Sequence, residues 1–410
     1  MIASQLVRSL CLVIAAYPCA AATLSLESAL ALALEHHPQL KASDAQIDAA
    51  RAGIRTARAV PNPEVAVLAG RQTYRVPENV SGLVTSYSFT QPLDIGPYRP
   101  ARIDYATRAR ESSEHAKQVT RLSVLSSVRR AFFHALRRAN EIKILDENLR
   151  LVEDFRKRTQ VRVEVGEAGR LEGIRAESEL VTARTAVNNA RLQYVTALTQ
   201  LRGAIGMPID PDSIPAGNLD AAVTLPPLAD VRREALDRHP ALHLSRSEVR
   251  RADSRVALER SQVRPQPSFR AEIDRPPDTP TYRVGIAIPL PFWNRREGPV
   301  AEAVAELRQS QALSDARQLE LLAAVDNAYG RYQLASQSLA AFEQGILQQA
   351  EQSVTAAEVA YRLGERGILE VLDAQRVLRT VRLDFLNAQY ERQFALIDLD
   401  ELRAIEPRSN

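Results

Sequence analysis

Residues 165–180, VGEAGRLEGIRAESEL, and residues 363–378, LGERGILEVLDAQRVL, are two versions of one segment. Gly166 and Gly364, Glu167 and Glu365, Gly169 and Gly367, Leu171 and Leu369, Glu172 and Glu370, and Ala176 and Ala374 are each separated by 198 positions. A constant offset of this kind marks a duplicated element, and the duplication extends beyond it. EHHPQLKAS at 35–43 resembles DRHPALHLS at 237–245, with Pro38 and Pro240 offset by 202. VPNPEVAVL at 60–68 echoes RPQPSFRAE at 264–272, and TQPLDIGPYRP at 90–100 stands where the second half has AIPLPFWNRRE at 287–297. The drift in offset marks short loop insertions. Each half has the same order: helix, proline pair, apolar alternation, Pro-Leu corner, a very long helical run, the Gly-Glu turn and another helix. Such a chain is expected to fold as two copies of one structural repeat, here 23–222 and 223–410, after a separate segment 1–22.

The alternating segments have period two and predict strands. SFRAEIDR puts Phe269, Ala271 and Ile273 on one side and Ser268, Arg270, Glu272 and Asp274 on the other. TYRVGIAIPL sets Tyr282, Val284, Ile286 and Ile288 against Arg283, Gly285 and Ala287. In the first half Leu83, Thr85, Tyr87 and Phe89 oppose Val84, Ser86 and Ser88, while EVAVLAG supplies Val65, Val67 and Ala69. Four strands are expected, at about 63–72, 82–92, 267–274 and 281–290. They fit two hairpins packed on a helical core, and they equally fit transmembrane barrel strands with one apolar and one polar face. Four strands cannot close a barrel of useful bore, and an open edge in lipid is forbidden, so spanning strands require several copies of the chain.

The helical runs carry a length argument. Ala, Leu, Arg, Glu and Gln fill them, and no further proline follows Pro100 as far as Val165 or Pro299 as far as Leu363. Each run of about 65 residues reaches on the order of 100 Å, more than a globular core spans. Leu125, Val128, Phe132, Ala135, Ala139, Ile142, Leu149 and Val152 approximate a heptad seam, as in side-by-side coiled-coil helices. The helices expected at 171–204 and 369–404, and those opening each half at 38–59 and 228–262, are about half as long. Two short helices stacked end to end match one long helix, giving a bundle of even height, hollow or solid.

The first 22 residues differ from the rest. Arg8 precedes the apolar run SLCLVIAAY, and Ala20, Ala21 and Ala22 fit a cleavage site before Thr23, the pattern of a secretory signal peptide. A lipoprotein signal using Cys19 is the rival, against which Tyr17 and Pro18 stand where small or aliphatic residues belong. Both cysteines, Cys11 and Cys19, fall in this segment, so a cleaved chain carries no thiol chemistry. No later run of about 18 apolar residues appears, which excludes a transmembrane helix but not a β-barrel. The 53 basic and 50 acidic residues are interspersed, and no basic stripe for nucleic acid is present.

In its duplicated halves, its GERGILEVLDAQRVL turn and its PNPE and TQPLDIG segments, the sequence resembles the TolC-like outer-membrane efflux protein family across the mature chain. PNPEVAV, TQPLDIG and IPLPFWNRREG place the likeness nearest the heavy-metal, CzcC-like branch. The resemblance implies a mainly α fold with a small β part: long coiled-coil hairpins forming an α-barrel, and four transmembrane strands per chain in a homotrimeric 12-stranded barrel. It implies an outer-membrane duct extending through the periplasm of a Gram-negative envelope, docked on a periplasmic adaptor (membrane fusion) protein that links it to an inner-membrane pump. The turns at 165–171 and 363–369 become the periplasmic tips. Gly166, Gly169, Gly364 and Gly367 permit the reversal, with Leu171 and Leu369 beside them on the adaptor-docking surface. Glu370 and Asp373 are i and i+3 on one helix face, and in a threefold arrangement they place six carboxylates around the pore, raising local cation concentration. Their positions match the family's acidic ring, and Tyr361, Arg366 and Glu172 align with positions that hold the entrance shut. Arg170 and Arg175 in the first turn depart from the family pattern.

Enzyme chemistry finds no support in motifs. There is no phosphate loop, nucleophile elbow or HExxH helix, and no cofactor is expected. His239 and His243 have i, i+4 spacing, yet no Cys or carboxylate completes a metal set. His37 and His239 precede prolines at matching places, which favours a helix-start role over ligation. With only Met1 and Met207, no thioether relay is available. The leading expectation is a passive efflux duct, most simply for divalent heavy-metal cations. Drug or small-molecule efflux, type I secretion and a periplasmic coiled-coil scaffold without a pore are the alternatives.

Overall fold

The computed structural model describes residues 23–73, 80–208, 214–219 and 225–405. The leader expected over 1–22, with Cys11 and Cys19, lies outside them. The first half runs β1 (Thr23–Leu24), α1 (Leu26–His36), α2 (Pro38–Arg58), β2 (Glu64–Gln72), β3 (Gly82–Pro92), α3 (Tyr98–Glu164) and α4 (Arg170–Ile205). The second runs β4 (Ile214–Pro215), α5 (Leu228–Arg238), α6 (Pro240–Ser261), β5 (Ser268–Arg275), β6 (Thr281–Ala287), α7 (Glu297–Ala341), α8 (Leu347–Arg362) and α9 (Ile368–Leu402). Mostly helical, the chain carries one four-stranded antiparallel sheet and a two-residue parallel pair, β1 with β4, that the sequence pattern did not announce.

The helix starts show why the histidines precede prolines. His37 Nδ1 accepts from the Gln39 amide at 3.2 Å, and His239 Nδ1 accepts from the Ala241 amide at 3.2 Å. Each ring caps a helix whose first residue is Pro, which has no N–H to lose. The same step breaks the chain: the helix expected over 228–262 is two helices, because Pro240 drives His239 to an extended φ −67°, ψ 122°. Likewise a separate α1 precedes α2, which the expected span of 38–59 omitted.

α3 is one uninterrupted helix of 67 residues, about 100 Å long. The second long run is not. It breaks at a π-helical turn, Phe342–Ile346, where Gly345 adopts φ 130°, a conformation other residues rarely take. The matching first-half position is Glu147, and α3 passes straight through it.

The short helices stack end to end along the long ones. α2 lies on the first part of α3, where Lys117 Nζ is 2.5 Å from Asp44 and Arg102 Nε donates to the Ala57 carbonyl at 2.9 Å. α4 covers the remainder, through Arg191–Asp146 at 3.3 Å and Arg156–Glu177 at 2.7 Å. Between them the ends nearly touch: a Cβ on Gly206 would lie 2.8 Å from the His37 and Pro38 rings. The halves join along α3, by Arg129–Asp400 at 2.7 Å and Arg130–Asp398 at 2.9 Å toward α9. The largest apolar cluster sits where α1, α3, α4 and α9 meet, around Phe132, Val128, Leu136, Leu201, Ile205 and Ile397. Each such side chain contributes about 1.5–3 kcal/mol on burial. Of the expected seam, Leu125, Val128, Phe132, Ala135 and Val152 are buried, whereas Ala139, Ile142 and Leu149 are half-buried.

Candidate functional sites at the two ends of the molecule

The sheet has the order β2-β3-β5-β6 and is antiparallel throughout. Its register sorts the side chains into two faces. One carries the rows Val65–Phe89–Ala271–Val284 and Val67–Tyr87–Ile273–Tyr282, with Phe269 and Ile286 beside Gln91. These residues belong to no core: Val65 is 69%, Tyr282 69% and Val284 79% exposed. The opposite face carries Glu64, Thr90 and Arg270 in one row and Ser88, Glu272 and Arg283 in the next. There Ser86 Oγ donates to Asp274 at 2.5 Å, and Arg283 pairs with Glu272 at 3.5 Å and with Asp274. A sheet with a largely exposed apolar face and a charged opposite face suits lipid on one side and water on the other. The outer edges of β2 and β6 pair with no strand among the described residues.

Strand limits follow expectation within a residue except in β6. Expected over 281–290, it ends at Ala287 because Pro289 and Pro291 have no N–H to give a ladder, which leaves Ile288 and Leu290 outside it. The helices attach where β2 and β5 begin and where β3 and β6 end, all at one end of the sheet. The other end is where β2 and β5 stop, at Gln72 and Arg275, and where β3 and β6 begin.

At the far ends of the helices stand the two hairpin turns. Both close in the same way. Glu167 N–H donates to the Arg162 carbonyl at 2.9 Å and Gly166 N–H to that of Val163 at 3.2 Å. The partners 198 residues later repeat this, Glu365 to Ala360 at 3.0 Å and Gly364 to Tyr361 at 3.1 Å. In this Schellman closure one residue must be left-handed, and Gly166 (φ 80°) and Gly364 (φ 75°) supply it. The reversal does not need Gly169 and Gly367: they precede α4 and α9 with φ −75° and −83°, backbone that any residue adopts. Beside the turns Val165, Leu171, Leu363 and Leu369 are 65%, 57%, 68% and 55% exposed, an apolar patch at each tip.

The two hairpins pack against each other just behind the turns. Phe155, Ala176, Tyr361, Ile368, Val371 and Leu372 form one buried cluster drawn from α3, α4, α8 and α9. Tyr361 is its hinge point: its hydroxyl donates to Glu172 Oε2 at 2.9 Å, its ring lies 5.6 Å from that of Phe155, and the Arg162 guanidinium stands 4.7 Å from its centroid. Burial, and then the bond to the Glu172 carboxylate, raise the Tyr361 pKa above its ordinary 10.0. Tyr361 and Glu172 are thus brought together. Arg366 is exposed and makes no ion pair among the described residues, nor do the exposed Arg170 and half-buried Arg175. Glu370 and Asp373 are exposed at the start of α9, on one face, and Glu370 lies in the first turn, where the helix dipole favours negative charge.

A second link, unmarked in the sequence, joins the same hairpins. Glu179 on α4 is buried and accepts from Arg376 on α9 at 2.5 Å, with Arg379 at 3.7 Å. Arg376 is held further above the usual guanidinium range by that bond. Nothing in the spacing marks the pair, since the position 198 residues after Glu179 is Val377. Among the described residues no group of three or more His, Cys, Asp or Glu is placed to hold a metal, and no helix is long and apolar enough to cross a membrane.

Comparison with known proteins agrees with this geometry. The profile of the family described as outer membrane efflux protein matches residues 29–207 and 231–403. The cobalt-zinc-cadmium resistance protein CzcC of Cupriavidus metallidurans is 29% identical over 395 residues, covering 93% of this chain and 90% of that protein. The nickel-cobalt-cadmium resistance protein NccC of Alcaligenes xylosoxydans is 26% identical over 301 residues, covering 73% and 67%. Among solved structures, CusC superposes with a TM-score of 0.79 at 18% identity, covering 92% of this chain and 91% of that one. The outer membrane protein VceC of Vibrio cholerae gives 0.76 at 18% identity, covering 92% and 95%.

Proposed function

This chain belongs to the outer membrane efflux protein family, and from that premise we propose that it is the exit duct of a tripartite pump for divalent heavy-metal cations. It is an outer-membrane efflux channel, and the finer reading rests above all on the sheet. Four strands with an apolar face, a charged face and two unpaired edges are a fragment of a wall. Three copies joined β2 to β6 complete it as a 12-stranded barrel, with β1 and β4 outside that count. The charged face then lines the water-filled lumen, and the stacked helices prolong it through the periplasm.

At the other end, the apolar patches around Leu171 and Leu369 are the docking surface for a periplasmic adaptor, which joins the duct to an inner-membrane pump. The seam made by Tyr361 with Glu172, and by Glu179 with Arg376, holds the α8–α9 hairpin against the α3–α4 hairpin and closes the entrance. Glu370 and Asp373, three copies of each, form an acidic ring there that concentrates cations. The metal cargo is supported by that ring and by the likeness to CzcC and NccC, proteins named for metal resistance.

The test is ion selectivity in planar bilayers. Reconstituted protein under a salt gradient is expected to show a cation-preferring reversal potential, weakened by Glu370→Gln with Asp373→Asn. An unchanged potential in the double variant removes the acidic ring. In cells deleted for the gene, restored drug tolerance without restored cadmium, zinc or cobalt tolerance refutes the metal cargo.

A further inference from the structure

The apolar face of the sheet is not wholly apolar. Fourteen of its positions read Val65, Val67, Ala69, Leu83, Thr85, Tyr87, Phe89, Gln91, Phe269, Ala271, Ile273, Tyr282, Val284 and Ile286, closed by two arginines, Arg71 and Arg275, the only charged residues on it among the described residues. Both lie at the same end, the one where β2 and β5 stop and β3 and β6 begin. Arg71 is opposite Leu83 and Arg275 opposite Thr85, so they flank β3 from either side. Two strand spacings and one two-residue step put their Cα atoms about 12 Å apart. Both are exposed, and neither guanidinium bonds to a described residue.

An unpaired arginine on a lipid-facing position is tolerated near the membrane interface and strongly disfavoured at the midplane. The row just inside the arginines holds Tyr87 and Tyr282, the amphipathic residues that mark that level. The helices stand at the opposite end of the sheet, in the periplasm, so the arginines reach the outer leaflet. Its characteristic anion is a glycolipid bearing phosphates on both ends of a disaccharide. A guanidinium fork binds phosphate bidentately, and two forks on one face present a pair of such sites. We infer that Arg71 and Arg275 form a binding site on the barrel wall for the two phosphates of bisphosphorylated lipid A.

The inference rests on the reading that the apolar face meets lipid, and the two fail differently. The mature protein is placed in phosphatidylcholine nanodiscs carrying bisphosphorylated lipid A, monophosphorylated lipid A or phosphatidylglycerol, and retained lipid is measured by native mass spectrometry. Bisphosphorylated lipid A is expected to be retained above both others. Arg71→Gln and Arg275→Gln should each weaken retention about tenfold, and Arg270→Gln, on the opposite face of the same sheet, should not change it. If the glutamine variants do not assemble, Arg71→Lys with Arg275→Lys keeps the charge without the fork and should bind at an intermediate level. Wild-type retention in the glutamine variants, or in Arg71→Lys with Arg275→Lys where those do not assemble, or equal retention of phosphatidylglycerol, overturns the site. Failure to enter any nanodisc overturns the lipid-facing reading along with it.

Discussion

Replacing Tyr361 with Phe removes one oxygen atom from the seam between the hairpins and leaves the ring in place. The ring is fixed by Phe155 at 5.6 Å and by the cluster with Ile368, Val371 and Leu372, so packing survives while the 2.9 Å bond to Glu172 is lost, together with the hydroxyl's contact with Thr159. A hydrogen bond to a charged group contributes about 1.5–3 kcal/mol. Glu172 is half exposed and regains water when the phenol goes, which puts the effect near the lower limit, about 1.5 kcal/mol. That is roughly tenfold in the closed-to-open ratio of one hairpin. Three seams that open together multiply to roughly a thousandfold. Single-channel recording reads this as a longer open dwell and larger mean conductance at low voltage. A double-mutant cycle with Glu172→Ala isolates the bond, and the coupling should be about 1 kcal/mol or more. Wild-type conductance in Tyr361→Phe, with strictly additive effects in the cycle, would refute the latch.

Gly364→Val forces a β-branched residue to φ 75° and should destabilise the second tip by about 1–3 kcal/mol, lowering metal tolerance in complementation, whereas Gly367→Ala, at φ −83°, should be mild. Equal effects of the two would contradict the turn geometry. Burial lowers the pKa values of His37 and His239 below the ordinary 6.5, with Arg317 and His243 adding to the effect on His239. Both rings must be neutral at Nδ1 to accept the capping amide, so this stability is present above pH 6.5 and is lost as pH falls through the lowered values. His37→Asn with His239→Asn supplies a non-titrating cap, each worth about 1 kcal/mol, and should flatten the fall in Tm on the acid side. Parallel melting profiles for wild type and variant would count against the caps.

The strands were legible because their partners on the sheet are read at period two: Phe269, Ala271 and Ile273 do face one way, and the ladder fixes their neighbours. Pro38 and Pro240 carried the helix starts, but the same prolines hid that a helix also ends there, since His239 belongs to neither. The break at Gly345 was illegible. A lone glycine inside AFEQGILQQA is tolerated in a helix as often as it interrupts one, and only the packed neighbours decide. At the tip, the alignment of Tyr361 with Glu172 came from family resemblance and the structure places them in contact. The Glu179–Arg376 pair joins residues 197 apart on different helices, and no local pattern reports a contact made only by tertiary packing.

A duct of this kind requires the sheet to be a third of a closed wall, and the stoichiometry of the membrane-extracted protein tests that directly. Native mass spectrometry of the detergent-solubilised mature chain should give three copies, and cysteines placed on the β2 and β6 edges should cross-link between copies into a closed covalent trimer. A monodisperse monomer whose edge cysteines never join neighbouring copies would contradict it.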